Sequence, residues 1–152
     1  VKDDQLTQSA MDLAFQHGNS IIIEKFIPGR ELTIPIINEE AYPIVEINPK
    51  NNFYDYECKY TPGMSEYLCP AILEQNLIET IEANTIQLFN KFDCSVYARA
   101  DYILDNSGVP YFLEMNTLPG MTSTSLVPKS AYAKGQSFAQ LIRHIIELSL
   151  YK

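Results

Sequence analysis

The sequence of 152 residues predicts an α+β fold in which antiparallel sheets carry packed helices. Hydrophobic residues make up 46% of the chain, which is enough for the core of one ordinary domain. Short strand-like segments follow one another with turn residues between them, as is typical of antiparallel pairing. Other segments repeat apolar residues at helical spacing and are long enough to cover a sheet.

The first part of the chain begins with a helical pattern and continues as a strand-rich block. Apolar residues recur at helical spacing from Leu6 to Ala14. A β-rich block starts at Ile21, and we expect an antiparallel meander with a turn at Pro28-Gly29. The predicted elements are a helix over 6–17, strands near 20–26, 31–37 and 42–48, and a short strand or extended loop over 53–60.

The second part alternates irregular segments with longer elements. Residues 61–72 and 117–135 contain Pro and Gly with little periodicity, so we expect them to be irregular. A turn composition at 105–108 predicts a hairpin. The remaining predicted elements are a helix over about 74–91, the two hairpin strands over 95–104 and 110–115, and a closing helix that starts at Phe138.

Composition excludes several classes of function. The net charge of −8 argues against a nucleic-acid groove, which needs Lys and Arg. Three cysteines (Cys58, Cys69 and Cys94) and two distant histidines predict neither a zinc cluster nor a disulfide framework. No membrane span or signal peptide is predicted, so a cytoplasmic location is expected. The polar start without Met suggests a fragment or a processed product.

Four polar residues of the predicted hairpin form a candidate site. Arg99 and Asp101 are two residues apart and share one face of their strand, as do Glu114 and Asn116 on the next strand. If the turn centres between residues 107 and 108, Asp101 lies opposite Glu114 and Arg99 lies opposite Asn116. All four side chains would then share one face of the hairpin.

The two opposed carboxylates would repel each other and need a compensating cation. Candidates are a proton, the guanidinium of Arg99 or a divalent metal, and the oxygen ligands of Asp101, Glu114 and Asn116 suit Mg²⁺ better than Zn²⁺. The alternative is a charged surface hairpin in which Arg99 bridges the acids, worth about 0–1 kcal/mol. Both interpretations remain open on these four residues alone.

The loop over 116–125 follows the candidate metal ligands directly. It offers the hydroxyls of several Ser and Thr residues and the backbone N–H of Gly120, which a ligand can approach closely. Such a loop can bind a carboxylate or an oxyanion. The alternative is an ordinary surface loop, although long loops in compact domains are often functional.

Several motifs, taken together in chain order, resemble the D-alanine–D-alanine ligase family of ATP-grasp enzymes. They are Glu24–Glu31, Tyr54–Tyr60, Arg99–Asp101, Glu114–Thr122 and the ending Ser125–Pro128. The resemblance implies the C-terminal portion of an ATP-grasp fold. Residues 1–62 would form an incomplete nucleotide-clamping subdomain, and residues 63–152 the C-terminal subdomain with the metal and substrate site.

The resemblance implies ATP contacts at Glu24, Lys25, Phe26, Ile27, Glu31 and Lys59. Glu24 and the backbone of 25–27 would bind adenine, Glu31 the ribose and Lys59 the transferred phosphate. Tyr60 would belong to a hydrogen-bonded set that closes a loop over the first D-alanine. The alternatives are a charged strand end for the two glutamates and plain packing for Tyr60.

The resemblance also assigns the chemistry of the hairpin and the loop. Asp101, Glu114 and Asn116 would bind two Mg²⁺ ions, with Mn²⁺ as an alternative, and Glu114 would bridge them. Arg99 and the Gly120 N–H would stabilise the oxyanion of the tetrahedral intermediate. Ser125 and its neighbour in the sequence, Leu126, would bind the carboxylate of the second D-alanine. ATP would activate one D-alanine as an acyl phosphate, which the amine of the second then attacks.

Parts of an ATP-grasp ligase have no counterpart before Ile21, namely the phosphate-covering loop, two lysines and the N-terminal substrate domain. We therefore expect a fragment of a peptidoglycan-precursor ligase that is inactive without the N-terminal part, its expected partner. A homodimer is a further expectation. The alternatives are another carboxylate-amine ligase, such as a D-alanine–D-lactate ligase, which Tyr60 disfavours, or a non-catalytic module that binds Ca²⁺ or nothing.

Overall fold

A computed structural model describes residues 6–49 and 65–151 of the protein. The strands are β1 (Gly29–Ile37), β2 (Glu40–Ala41), β3 (Val45–Pro49), β4 (Ser65–Leu68), β5 (Tyr97–Asp105) and β6 (Pro110–Asn116). The helices are α1 (Thr7–Phe15), α2 (Gln75–Lys91), α3 (Leu126–Ala133) and α4 (Phe138–Leu150). The strands form one sheet in the order β4-β3-β1-β5-β6, in which every pairing is antiparallel and β2 pairs with the end of β1.

The predicted α+β class with antiparallel pairing is therefore confirmed, as are the first, second and closing predicted helices and both strands of the hairpin. The predicted strand near 20–26 is wrong, because residues 20–28 belong to no strand. Ile22 and Ile23 are 86% and 73% exposed, so their apolar side chains contribute nothing to the core. The strand predicted near 42–48 corresponds to β3, which starts at Val45, while residues 42–44 belong to no strand.

Two elements lie in segments that were expected to be irregular. β4 is a four-residue edge strand that pairs with β3, and its stability comes from that distant partner rather than from a local pattern. Helix α3 has Pro128 in its first turn. A backbone N–H in the first turn has no acceptor within the helix, so proline, which lacks this N–H, is tolerated there. The strand or loop expected over 53–60 lies outside the described residues.

Gly29 was expected in a turn but is the first residue of β1. A Cβ atom at this position would collide with the backbone carbonyl of Leu104 on β5. Glycine is therefore needed here for the close approach of two strands.

One face of the sheet is covered by α2. Leu32 and Ile34 of β1 and Ala100 of β5 are buried there and pack in one cluster with Ile81 of α2. Phe89 near the end of the same helix packs with Ile36 and Ala98. This face is the main hydrophobic core, and its burial fixes which side chains of β1 and β5 point to the opposite face.

Helices α3 and α4 cover one end of the opposite face. Val127 and Ala131 of α3 pack on Ile37 at the end of β1, and Leu141 of α4 completes this cluster. The neighbouring Leu126 packs on Val45 and Ile47 of β3. The candidate site lies beside these clusters on the same face, on odd-numbered residues of β1 and β5 and at the end of β6.

Replacing Leu141 with alanine should lower the free energy of unfolding by about 2–5 kcal/mol, because its side chain is fully buried between α4, α3 and the sheet. Leu150→Ala in the same helix is the matched control, since Leu150 is 73% exposed and the change should stay within about 0.5 kcal/mol. Urea denaturation measures both. Equal effects of the two substitutions would contradict the described packing of α4.

Strands from both sides of residue 62 share the sheet, since β1 pairs with β5 over nine residue pairs. The division at 62/63 stays a prediction about subdomains. No helix of 6–49 or 65–151 has the length and apolarity needed to cross a membrane.

Candidate functional site

The β5–β6 hairpin carries the candidate site in the predicted register. Arg99 pairs with Asn116, and Asp101 pairs with Glu114. The hairpin turn is closed by the carboxylate of Asp105, which accepts hydrogen bonds from the backbone N–H of Val109 and from Ser107. Those donors keep the pKa of Asp105 below its ordinary value, with the Val109 N–H as the largest cause.

Between these two pairs and the turn, the register shifts by one residue relative to the predicted hairpin. A β-bulge lies between Asp101 and Tyr102, and on its turn side Tyr102 pairs with Phe112. The bulge adds one residue to β6, so Phe112 and Met115, three residues apart, both pack on the core below α2. Without it, Glu114 would follow the alternation of Phe112 and point into that core. The bulge thus places the carboxylate of Glu114 on the site face.

One hydrogen-bonded network joins the four predicted side chains. The Arg99 guanidinium donates from Nε to Oδ1 of Asp101 at 2.9 Å and from Nη2 to Oδ2 at 2.7 Å, a bidentate ion pair. The Asn116 side-chain amide donates to Oδ2 of Asp101 at 3.1 Å and to Oε1 of Glu114 at 3.0 Å. The structure therefore brings all four residues together.

The ion pair is not an exposed surface bridge. The side chains of Arg99 and Asp101 are 17% and 19% exposed, while Glu114 lies at the open edge of the network. Among these four side chains, the single guanidinium faces two carboxylates, so the set carries a net negative charge, and the Glu114 carboxylate lies at its exposed end. This is where a further cation would be attracted.

The donor set fits a hard divalent cation. The Asn116 amide lies between the two carboxylates, and turning it over would present its oxygen to the same space. Within the described part of the chain, no three His, Cys, Asp or Glu side chains come together. Two carboxylates and one amide oxygen, completed by water or phosphate oxygens, form the type of ligand set that Mg²⁺ uses.

Thr33 of β1 belongs to the same network and was missed by the sequence analysis. It lies directly opposite Asp101 in the β1–β5 pairing and donates from Oγ1 to Oδ1 of Asp101 at 2.5 Å. The only signal in the sequence is that Thr33 is two residues from Glu31, so both share a face of one strand. Nothing local indicates that Asp101 is its partner, because 68 residues separate them.

The loop after β6 positions Gly120 and Ser125 at the start of α3. A Cβ atom at Gly120 would lie 3.1 Å from Oγ of Ser125, a contact tight enough to displace the hydroxyl. Ser125 is the N-cap residue of α3, and its Oγ accepts the Thr122 N–H at 3.0 Å. Its hydroxyl also lies 2.8 Å from that of Thr122. The hydroxyls of this loop are thus ordered around the helix N-terminus.

Neither described cysteine is prepared for nucleophilic chemistry. Burial raises the pKa of the Cys69 thiol to about 11, although Lys129 nearby opposes the shift. Burial and the adjacent Asp93 raise the pKa of the Cys94 thiol. These shifts disfavour the reactive thiolate form of both side chains.

Comparison with known proteins identifies the family of the chain. The family model described as D-ala D-ala ligase C-terminus matches residues 1–147. The chain belongs to the D-ala D-ala ligase C-terminus family. It is 44% identical over 149 residues to D-alanine–D-alanine ligase of Methylacidiphilum infernorum and 46% identical over 151 residues to D-alanine–D-alanine ligase B of Clostridium perfringens. These alignments cover 98% and 99% of the chain and 49% of each relative, so the chain spans about half the length of the curated relatives it matches.

Solved structures show the same family fold. A crystal structure of D-alanine–D-alanine ligase from Bacillus anthracis complexed with ATP matches with a TM-score of 0.86 and 34% identity, over 99% of this chain and 48% of that one. The VanG D-Ala:D-Ser ligase of Enterococcus faecalis matches with a TM-score of 0.79 and 29% identity, over 96% of this chain and 43% of that one. The predicted ATP-grasp fold class is thereby confirmed.

In this member of the D-ala D-ala ligase C-terminus family, the described residues that were predicted to bind the nucleotide lie in two neighbouring segments of the chain. Glu24, Lys25 and Phe26 are exposed, with Ile27 half-buried, in the extended segment before β1. Glu31 lies on β1, on the site face, about 7 Å along the strand from Thr33. Lys59 and Tyr60 lie outside the described residues. The roles of all these positions remain predictions.

Proposed function

We propose that this chain supplies the metal-binding part of an ATP-dependent, ADP-forming ligase that joins two D-alanines for peptidoglycan precursor synthesis in the cytoplasm. The observation that carries the proposal is the hydrogen-bonded network of Arg99, Asp101, Glu114 and Asn116 on one face of the sheet. Membership of the D-ala D-ala ligase C-terminus family supports it. The polypeptide that corresponds to the other half of the relatives would complete the site.

The proposed roles follow the geometry of the described residues. Asp101, Glu114 and Asn116 would bind Mg²⁺, whose charge neutralises that of the nucleotide phosphates. Glu31 would bind the ribose, since it lies on the same face as the metal ligands at the end of β1 that adjoins residues 24–27. The proposed contacts of residues 24–27 with adenine would therefore place ATP along β1. Lys59 would contact the transferred phosphate.

The proposed ligase reaction has two steps. A carboxylate oxygen of the first D-alanine takes the γ-phosphoryl group of ATP, which yields an acyl phosphate and ADP. The amine of the second D-alanine then attacks the acyl carbon, loses a proton and displaces inorganic phosphate. Arg99 and the Gly120 N–H would stabilise the oxyanion formed by that attack, and Tyr60 would help to close the site.

The second D-alanine would bind beside the loop that ends at α3. The Ser125 hydroxyl and the N-terminus of α3, where Leu126 is the first helical residue, would bind its carboxylate. A different second substrate is the alternative, and the structural likeness to the VanG D-Ala:D-Ser ligase favours testing it. A non-catalytic metal-binding module is the remaining alternative.

The intact polypeptide that carries these residues should form D-alanyl-D-alanine and release ADP and phosphate in equal amounts when given ATP, Mg²⁺ and D-alanine. Removing the cation with a chelator should stop the reaction. Residues 1–152 alone should form no dipeptide, and D-serine or D-lactate in place of one D-alanine should react more slowly. Dipeptide synthesis by residues 1–152 alone would contradict the requirement for the rest of the site.

A further inference from the structure

The buried hydroxyl of Thr33 contacts Asp101, one of the candidate metal ligands. Its side chain is on the central strand β1, between β3 and β5, and is fully buried. Oγ1 lies 2.5 Å from Oδ1 of Asp101 and 3.3 Å from the carbonyl oxygen of Ala100. A hydroxyl has one proton to donate, and the shorter contact to a charged oxygen takes it. Thr33 therefore donates to Asp101.

The two oxygens of Asp101 differ in what surrounds them. Oδ1 accepts from Arg99 Nε at 2.9 Å and from Thr33, which uses both of its lone pairs. Oδ2 accepts from Arg99 Nη2 at 2.7 Å and from the Asn116 amide at 3.1 Å. Of these four donor groups, only the Asn116 amide belongs to a candidate metal ligand. When the Asn116 amide turns over, its oxygen replaces the N–H group between the carboxylates and one lone pair of Oδ2 becomes available, whereas Oδ1 stays saturated.

We propose that Thr33 is a positioning residue that saturates Oδ1 of Asp101 and thereby makes Oδ2 the single oxygen of this carboxylate that binds the cation. This inference rests on the proposed function. Thr33 suits the task because a β-branched side chain in a central strand has little rotational freedom. With Thr33 and Arg99 both in place, the carboxylate plane is fixed before the cation and nucleotide arrive.

The test measures Mn²⁺ affinity by electron paramagnetic resonance in the intact polypeptide, with a non-hydrolysable ATP analogue present. Thr33→Val preserves the shape of the side chain and removes the hydroxyl, and it should weaken Mn²⁺ binding by about 10- to 100-fold. Thr33→Ser retains the donor and should restore affinity to within about threefold of the wild-type protein. This rescue would not follow from a purely structural role of the methyl group.

Thr85→Val is the matched control, since Thr85 is also fully buried but its hydroxyl pairs with Tyr102 on the opposite face of the sheet. It should lower thermal stability without changing Mn²⁺ affinity. If Thr33→Val does not fold, Thr33→Cys retains the size with a weaker donor and should bind with intermediate affinity.

The outcomes separate this inference from the proposed function. Mn²⁺ affinity equal to wild type in the folded Thr33 variant would overturn the role of Thr33 and leave the proposed function intact. A wild-type polypeptide that binds no Mn²⁺ with the ATP analogue would overturn both.

Discussion

Glu114→Gln should abolish cation-dependent nucleotide binding and lower kcat/KM for dipeptide synthesis by at least about 10³-fold, equivalent to several kcal/mol of charge stabilisation. Glutamine preserves the size of the side chain and an oxygen that can still accept from the Asn116 amide. What it removes is the negative charge at the exposed end of the network. Titration with a fluorescent ATP analogue, with and without Mg²⁺, measures the binding effect directly.

Glu147→Gln on the outer surface of α4 is the matched control, because it makes the same chemical change at an exposed position outside the network. It should leave both nucleotide binding and rate unchanged. Glu114→Gln with wild-type Mg²⁺-dependent binding would show that the hairpin carboxylates are a structural surface cluster, the interpretation that the four residues alone left open.

Arg99→Lys should lower kcat by about 10²- to 10³-fold even though it preserves the positive charge. The guanidinium binds both oxygens of Asp101 through Nε and Nη2, and a lysine ammonium cannot form this planar fork. Asp101 would lose its bidentate partner among the three side chains that donate hydrogen bonds to it. In the proposed reaction, the same substitution also displaces the charge that stabilises the oxyanion.

Steady-state kinetics of dipeptide synthesis would show the loss mainly in kcat, since Arg99 is not proposed to bind adenine or ribose. Arg143→Lys on exposed α4 makes the same exchange away from the site and should have wild-type kinetics. A wild-type kcat for Arg99→Lys would mean that the site needs only a positive charge beside Asp101, and would exclude an oxyanion role that depends on the fork.

Local patterns were sufficient for most helices and for the hairpin. The apolar stripe over 74–91 predicts α2 because helical spacing is read from neighbouring residues, and the Asp105–Gly108 turn predicts the hairpin in the same way. They failed where stability comes from a distant partner. β4 is a strand because it pairs with β3, and the apolar segment at 20–26 is not a strand because no neighbouring strand of the described sheet pairs with it.

The sequence by itself determined the chemical identity of the site: two carboxylates, an amide and a guanidinium at spacings that put each pair on one strand face. The turn composition also predicted which of these residues face each other, and the tertiary structure decided how the network is completed. The β-bulge beside Asp101 turns Glu114 toward Asp101, and the pairing of β1 with β5 brings Thr33 onto the same carboxylate. The physical reason is that side-chain spacing along a strand is a local property, whereas the register between strands depends on which residues the core buries.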